Sequence, residues 1–337
     1  MDEWKGPIQQ EEPICGNYAA LWNKSLPGWL EAMDLCKTAY ISKATGCPIY
    51  IVHMSAKETV EQLEYFKARH YDITGETCLH YLIFSCEDDI CFDNPDWNCQ
   101  CKVSPPIRGK ADRDALWRGI LNGTISCVGT DHTNYSAHCN KLGTGDFWHA
   151  RPGCGDGMSV LMTGVFDEGV HKRAMSVPEF CKLMSENPAR ALGIFPQKGA
   201  LKVGSDFDAV IFDPNRKWIF DSTKTYSTHV GSIYDGHEFT GKPVATFVRG
   251  TLVAENGEVV IDEPVAHYVK NSTTRLRDTM DLEEQTLETS RHTQMIIDFI
   301  CDTQYEDIPA EAIENAKGRI LDCIGVTIKG GEESVGT

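Results

Sequence analysis

Two short runs limit what this chain can fold into more than anything else in it. PIYIVH at 48–53 and ISCVGTDH at 125–132 are near-continuous apolar stretches that end abruptly in polar, chemically able side chains. They are too short for ordinary helices, and an apolar run without alternation belongs to a strand covered on both faces by helices. Between them, ETVEQLEYFKARH predicts a helix, YDITGETC a strand and RDALWRGILNG a second helix, the last two separated by the long polar loop SCEDDICFDNPDWNCQCKVSPPIRGK. WLEAMDLCKTAYISKATG predicts a helix ahead of the first strand, with Leu30, Met33, Leu35, Ala39 and Ile41 near one stripe and Gly46 to close it. This β-α-β rhythm predicts an α/β fold with a parallel sheet. VPEFCKLMSENPARALGI reads as a helix pair or a helix broken around Pro188, with Asn187 favouring a turn.

After Pro196 the texture changes to short strands, GALKVGSDFDAVIFDP and PVATFVRGTLVAENGEVVI. Asn256-Gly257 between β-rich runs is a type I′ hairpin signal, so 197–262 is expected to be a small all-β part. Residues 263–290 are polar and charged, as in a linker or a surface helix. In 291–337, Pro309 stands at a helix start and apolar residues fall at 313, 316, 320, 321, 324 and 328, a strong amphipathic pattern. No internal repeat or low-complexity tract interrupts the chain.

Of its 337 residues 32 are basic and 49 acidic, net −17, which argues against nucleic acid or an anionic membrane as partner. No run reaches the roughly 20 apolar residues that span a bilayer. Fourteen cysteines are scattered rather than clustered, and the first residues lack a basic and then an apolar region, so reduced thiols in the cytoplasm are expected.

His53 and Asp131 each stand at or next to the end of an apolar strand, and parallel strands bring such residues to one face. Imidazole and carboxylate both suit zinc or a similar ion, and a carboxylate beside metal-bound hydroxide can carry its proton to a leaving group. The alternative is structural: His53 satisfies a buried hydrogen bond and Asp131 caps the following turn. Glu76 reads equally as a supporting residue and as an acid. Cys86, Cys91, Cys99 and Cys101, with His80 nearby, match no common zinc module, and a loop is the better reading. Gly153, Gly155 and Gly157 lack the preceding apolar strand that a nucleotide-binding turn needs.

The segments PIYIVHMSAKETVEQLEYFKARHYDITGETCLHYL, DNPDWNCQCKVSPPIRGKADRDALW, VGTDH and SENPARALGIFPQKGALKVGSDFDAVIFDP, in this order, resemble the C-terminal half of the dihydropyrimidinase/hydantoinase branch of the amidohydrolase superfamily, over about residues 28–262. The resemblance implies a partial TIM-type (β/α)₈ barrel holding strands six to eight over 1–196, then part of a β-sandwich. It implies hydrolysis of C–N bonds in small cyclic amides at a binuclear centre, usually zinc, bridged by hydroxide and a carboxylated lysine. His53 then corresponds to the histidine ligand after the sixth strand, and Asp131 to the metal-binding proton shuttle after the eighth. Ser104 matches the serine that contacts the ring amide.

The departures from this pattern matter as much. No H-x-H pair occurs among the eleven histidines, and the lysine-bearing strand is likewise not found. Arg151 and Pro152 stand where related enzymes carry a PNGG-like turn. The expectation is therefore a site incomplete in this chain, with self-association or a complementing chain through unpaired strand edges, or else a truncated or fused chain that only binds another subunit. MIIDFICDTQYEDIPAEAIENAKGRILDCIGVTIKGG resembles the opening helices of the MmgE/PrpD family, which implies a C-terminal helical tail over 291–337.

Overall fold

A computed structural model describes residues 8–11, 16–88, 95–134, 147–227 and 231–271. The chain divides into two units, Met1–Thr279 and Met280–Thr337, and the described residues all belong to the first. The tail at 291–337 and most of the expected linker lie outside the described residues.

Helix α1 (Tyr18–Ser25) starts at Asn17, whose Oδ1 accepts from the Ala20 amide at 3.0 Å. Helix α2 (Gly28–Thr45) ends at Gly46, at φ 70°, a left-handed cap that glycine adopts without steric cost. Its buried face is Ala32, Leu35, Ala39 and Ser42, whereas Met33 and Ile41 of the expected stripe are 60% and 56% exposed. Leu35 and Ala39 of that stripe are buried as expected, while Met33 and Ile41 are turned outward.

Strand β1 (Ile49–Met54) is followed by α3 (Lys57–Lys67), β2 (Ile73–Cys78), the short helices α4 (Leu79–Ile83) and α5 (Pro95–Gln100), then α6 (Lys110–Leu121) and β3 (Cys127–Gly129). The three strands form a parallel sheet in the order β1-β2-β3. Val60, Leu63 and Phe66 of α3, Leu79 and Leu82 of α4, and Leu116 of α6 are essentially inaccessible. Each contributes roughly 1.5–3 kcal/mol by leaving water. The strand expected over 125–131 is shorter because the Ile125 amide donates to Gly119 O at the end of α6, 2.8 Å away, and the chain turns off at Asp131.

Helix α7 (Gly157–Phe166) continues through a π turn at Asp167–His171. Helix α8 (Val177–Cys181) begins with a Ser176/Glu179 capping box and leads through a second π turn, Lys182–Glu186, into α9 (Asn187–Ala191). The break expected at Asn187-Pro188 does not occur: Asn187 is helical, at φ −63° and ψ −46°. The wider π turn absorbs the amide that proline lacks and the crowding of its ring against the preceding turn.

The β-rich part is an antiparallel sheet of β4 (Ala209–Ile219), β5 (Glu238–Val248), β6 (Thr251–Glu255) and β7 (Glu258–Val259), in that order. Asn256 and Gly257, at φ 52° and 94°, make the expected hairpin between β6 and β7. Arg249 and Gly250 turn β5 into β6 in the same way, at φ 51° and 86°. Residues 199–208 are not strand; Lys198 holds that stretch through Asp206 and Asp208, at 3.1 and 2.5 Å. Among the described residues no helix is long and apolar enough to cross a membrane.

Candidate active site

Parallel strands all deliver their C-terminal ends to one edge of the sheet, and the register shows which residues arrive together. Met54 pairs with Thr77, and Cys78 with Gly129. His53, Glu76 and Asp131 therefore sit around one sheet end, and His80 lies in the first turn of α4 just beyond β2. His53 and Asp131 both leave regular strand geometry in the left-handed region, at φ 43° and 44°. Such a backbone costs about 1–2 kcal/mol for a residue with a side chain, and it re-aims both side chains just where the sheet stops.

Glu76 links the strands. Its Oε2 accepts from the Tyr50 hydroxyl at 2.7 Å, and its Oε1 lies 3.5 Å from the His53 amide, which donates to it. Gly129 makes room, since a Cβ there would stand 2.7 Å from the Glu76 carboxyl carbon. Asp131 is half-buried, and burial pushes its carboxyl above the usual range; the nearby Glu76 charge adds to this while His53 opposes it. His53 and Asp131 are thus within electrostatic reach of each other. His80 is fully buried, burial with help from His53 lowers its pKa to about 3, and neither ring nitrogen has a hydrogen-bond partner.

The end of β1 is anchored by a buried ion pair that the sequence did not reveal. Glu31 of α2 accepts from the Ser55 amide at 2.8 Å, the Ser55 hydroxyl at 2.5 Å and the Ala56 amide at 3.2 Å. Arg108 lies 3.4 Å from the same carboxylate and also donates to Ser55 Oγ, Asn23 Oδ1 and Leu26 O. Arg108 closes the SPPIR segment, which the Tyr81 hydroxyl also holds through Pro105 O at 2.7 Å. Ser104, at the start of that segment, is exposed, and no hydrogen bond joins it to His53 or Asp131.

Beyond Asp131, His132 bridges to Cys154, and the Thr133 amide donates to Cys154 O at 2.9 Å. Asp156 is left-handed at φ 59°, and a Cβ on Gly157 would lie 2.8 Å from Thr130 O. Gly157 thus seats α7 against the turn that carries Asp131, while Arg151 and Pro152 are exposed. His132, Ser159, Trp218, Lys224 and Tyr226 help line an adjoining cleft of about 760 Å³.

A catalytic zinc takes typically three protein ligands and keeps one position open. His53 and Asp131 have the right chemistry, yet among the described residues no three His, Cys, Asp or Glu side chains are grouped to hold an ion. They do not by themselves fit a binuclear centre. The same holds for Cys86, Cys99 and Cys101, and Cys91 lies outside the described residues.

Residues 50–253 match the Amidohydrolase family. A D-hydantoinase of Ralstonia pickettii is 32% identical over 248 residues, which is 73% of this chain and 53% of that protein. An allantoinase of Rubrobacter xylanophilus is 31% identical over 73% of this chain and 52% of its own length. The solved L-hydantoinase (dihydropyrimidinase) from Arthrobacter aurescens superposes with a TM-score of 0.71 at 30% identity, over 77% of this chain and 56% of that one. The chain spans about half the length of the curated relatives it matches.

Proposed function

Since this chain belongs to the amidohydrolase family, we propose that it takes part in hydrolysing C–N bonds of small cyclic amides of the hydantoin, dihydropyrimidine or allantoin kind. The observation that carries this reading is the meeting of His53 and Asp131 in left-handed backbone at one end of the parallel sheet. Ring opening adds water across an amide: the water oxygen bonds to the carbonyl carbon, the C–N bond breaks, and a proton ends on nitrogen. Asp131 carries that proton. Its burial favours the role, because a carboxyl raised above its ordinary pKa accepts a proton more readily and still releases it. Ser104 contacts the ring amide. His53 and Asp131 are this chain's share of the family's metal site, zinc by resemblance, and the path through Asp131 is drawn from the carboxylate and water alone.

A second reading is favoured by the sheet order. Among the described residues β1 and β3 are the outer strands of the parallel sheet, and Tyr50 and Val52 on β1 are 37% and 47% exposed. An open strand edge recruits another strand, so the chain can serve as a subunit that pairs with itself or with a complementing polypeptide.

The test is ring opening of hydantoin, dihydrouracil and allantoin by the full chain, with and without added zinc, followed chromatographically. Turnover that falls at least about 100-fold in Asp131→Asn supports the hydrolase reading. Turnover indifferent to that change overturns it. No turnover together with a scattering mass that rises with concentration favours the subunit reading.

A further inference from the structure

The cleft of about 760 Å³ beside the Asp131 turn has the size of an ordinary small-molecule site. His132, the residue after Asp131, stands in its wall, as do Ser159 near the start of α7 and Trp218, Tyr226 and Lys242 of the β-rich part. Of the charged side chains in that wall, Lys224 and Asp221 pair with each other at 2.9 Å. Lys242 forms no ion pair among the described residues; its ammonium lies 4.5 Å from the centre of the Trp218 ring. It is half-buried, and burial, together with the Arg216 charge, lowers its pKa. An ammonium so placed has given up part of its hydration for a ring face alone, and a carboxylate brought by a ligand completes it with a charge-assisted hydrogen bond. The Ser159 hydroxyl is exposed and makes no hydrogen bond among the described residues. Ser159, Trp218 and Lys242 also line a second hollow of about 160 Å³, so they stand in a wall common to two cavities. In a chain of net charge −17, a cavity whose unpaired charge is positive selects anions.

We infer that this cleft binds a ureido acid, the ring-opened form of a hydantoin or dihydropyrimidine, with the Lys242 ammonium pairing with its carboxylate and the Ser159 hydroxyl donating to its urea carbonyl. The choice of ligand rests on the cyclic-amide reading above. Ring opening turns a neutral cyclic amide into a molecule with one new charge, the carboxylate, and it does so one residue away from the cleft wall. Tyr226, 72% exposed, offers a flat side to the planar urea group. The two places thus divide the work: His53 and Asp131 serve the closed ring, and Lys242 and Ser159 hold the opened one.

The experiment measures binding of N-carbamoylglycine to the full chain by isothermal titration calorimetry at low salt, with propionate as comparison ligand, and the melting temperature of each variant. N-carbamoylglycine is expected to bind at least about tenfold more tightly than propionate. Lys242→Gln should weaken it about tenfold or more, Lys242→Arg should keep it within about threefold, and Ser159→Ala should weaken it about three- to tenfold. If Lys242→Gln does not fold, Ser159→Ala, whose hydroxyl has no partner in the fold, carries the comparison. Absence of binding by the parent chain, or binding unchanged in Lys242→Gln or in Ser159→Ala, overturns the inference. Equal affinity for propionate also overturns it, because the cleft then takes any small carboxylate. These outcomes leave the cyclic-amide reading to its own ring-opening assay. Binding as expected without turnover of any ring overturns that reading alone and leaves the cleft as a ureido-acid site.

Discussion

Replacing Glu31 by alanine tests whether the end of β1 is held as described. The carboxylate accepts three hydrogen bonds from Ser55 and Ala56 and faces Arg108, and the two charged side chains are only 15% and 5% exposed. Removing one member of a buried pair typically costs about 3–5 kcal/mol, since the other charge is left uncompensated. Arg108 keeps Ser55, Asn23 and Leu26 as partners, so the low end, about 3 kcal/mol, is expected. That corresponds to a fall of about 10 °C in melting temperature for a domain of this size. Urea unfolding followed by tryptophan fluorescence gives the free energy. Arg108→Met and the double variant complete the cycle, and the double variant should lose about 1–2 kcal/mol less than the sum of the singles. A loss below about 1 kcal/mol for Glu31→Ala, or additivity within about 0.5 kcal/mol, refutes the reasoning. Because Ser55 follows His53 by two residues and Arg108 closes the segment of Ser104, the same variant should also weaken any ring-opening activity.

Gly75→Ala would place a Cβ 2.3 Å from Leu63 Cδ2 and 3.0 Å from Met54 Sδ; a loss of about 1–3 kcal/mol is expected, and Leu63→Ala combined with it should cost less than the two separately in the same urea assay. Asp131 has a folded pKa above its unfolded one, so its contribution to stability is fully present below the unfolded value, near pH 3.9, and is lost as pH rises through the folded value. Asp131→Asn should therefore melt higher than the parent at pH 7, with the gap closing toward pH 3. His80 has the opposite sign: its stability is whole above about pH 6.5 and is lost as pH falls toward about 3, so His80→Leu should shift acid unfolding, followed by circular dichroism, to lower pH.

Local signals made much of the fold readable. The apolar run at 48–53, the Gly46 cap and the Asn256-Gly257 turn each specify their own conformation through a few adjacent side chains. Helix α7 was not legible, because Val160, Leu161, Met162, Val165 and Phe166 surround it with apolar residues and leave no stripe to detect. Nor could the π turn before Pro188 be foreseen, since it depends on how two helices settle on the core. Strand ends pointed to His53 and Asp131 as candidates. His80 and the Glu31–Arg108 pair could not be found that way, because their meaning lies in burial and in partners 24 or more positions distant, such as Ser55 for Glu31.

The left-handed backbone at His53 and Asp131 sets different terms for foldability and for chemistry during mutation. At φ 43° and 44° glycine and asparagine are the conformationally tolerant residues, while β-branched ones are excluded. A saturation library at these two codons, sorted only for folded expression, should drift toward glycine and asparagine. Sorted for ring opening, it should return to histidine and aspartate. The divergence between the two sorted pools would measure, position by position, how far selection for chemistry has held these residues against what the backbone prefers.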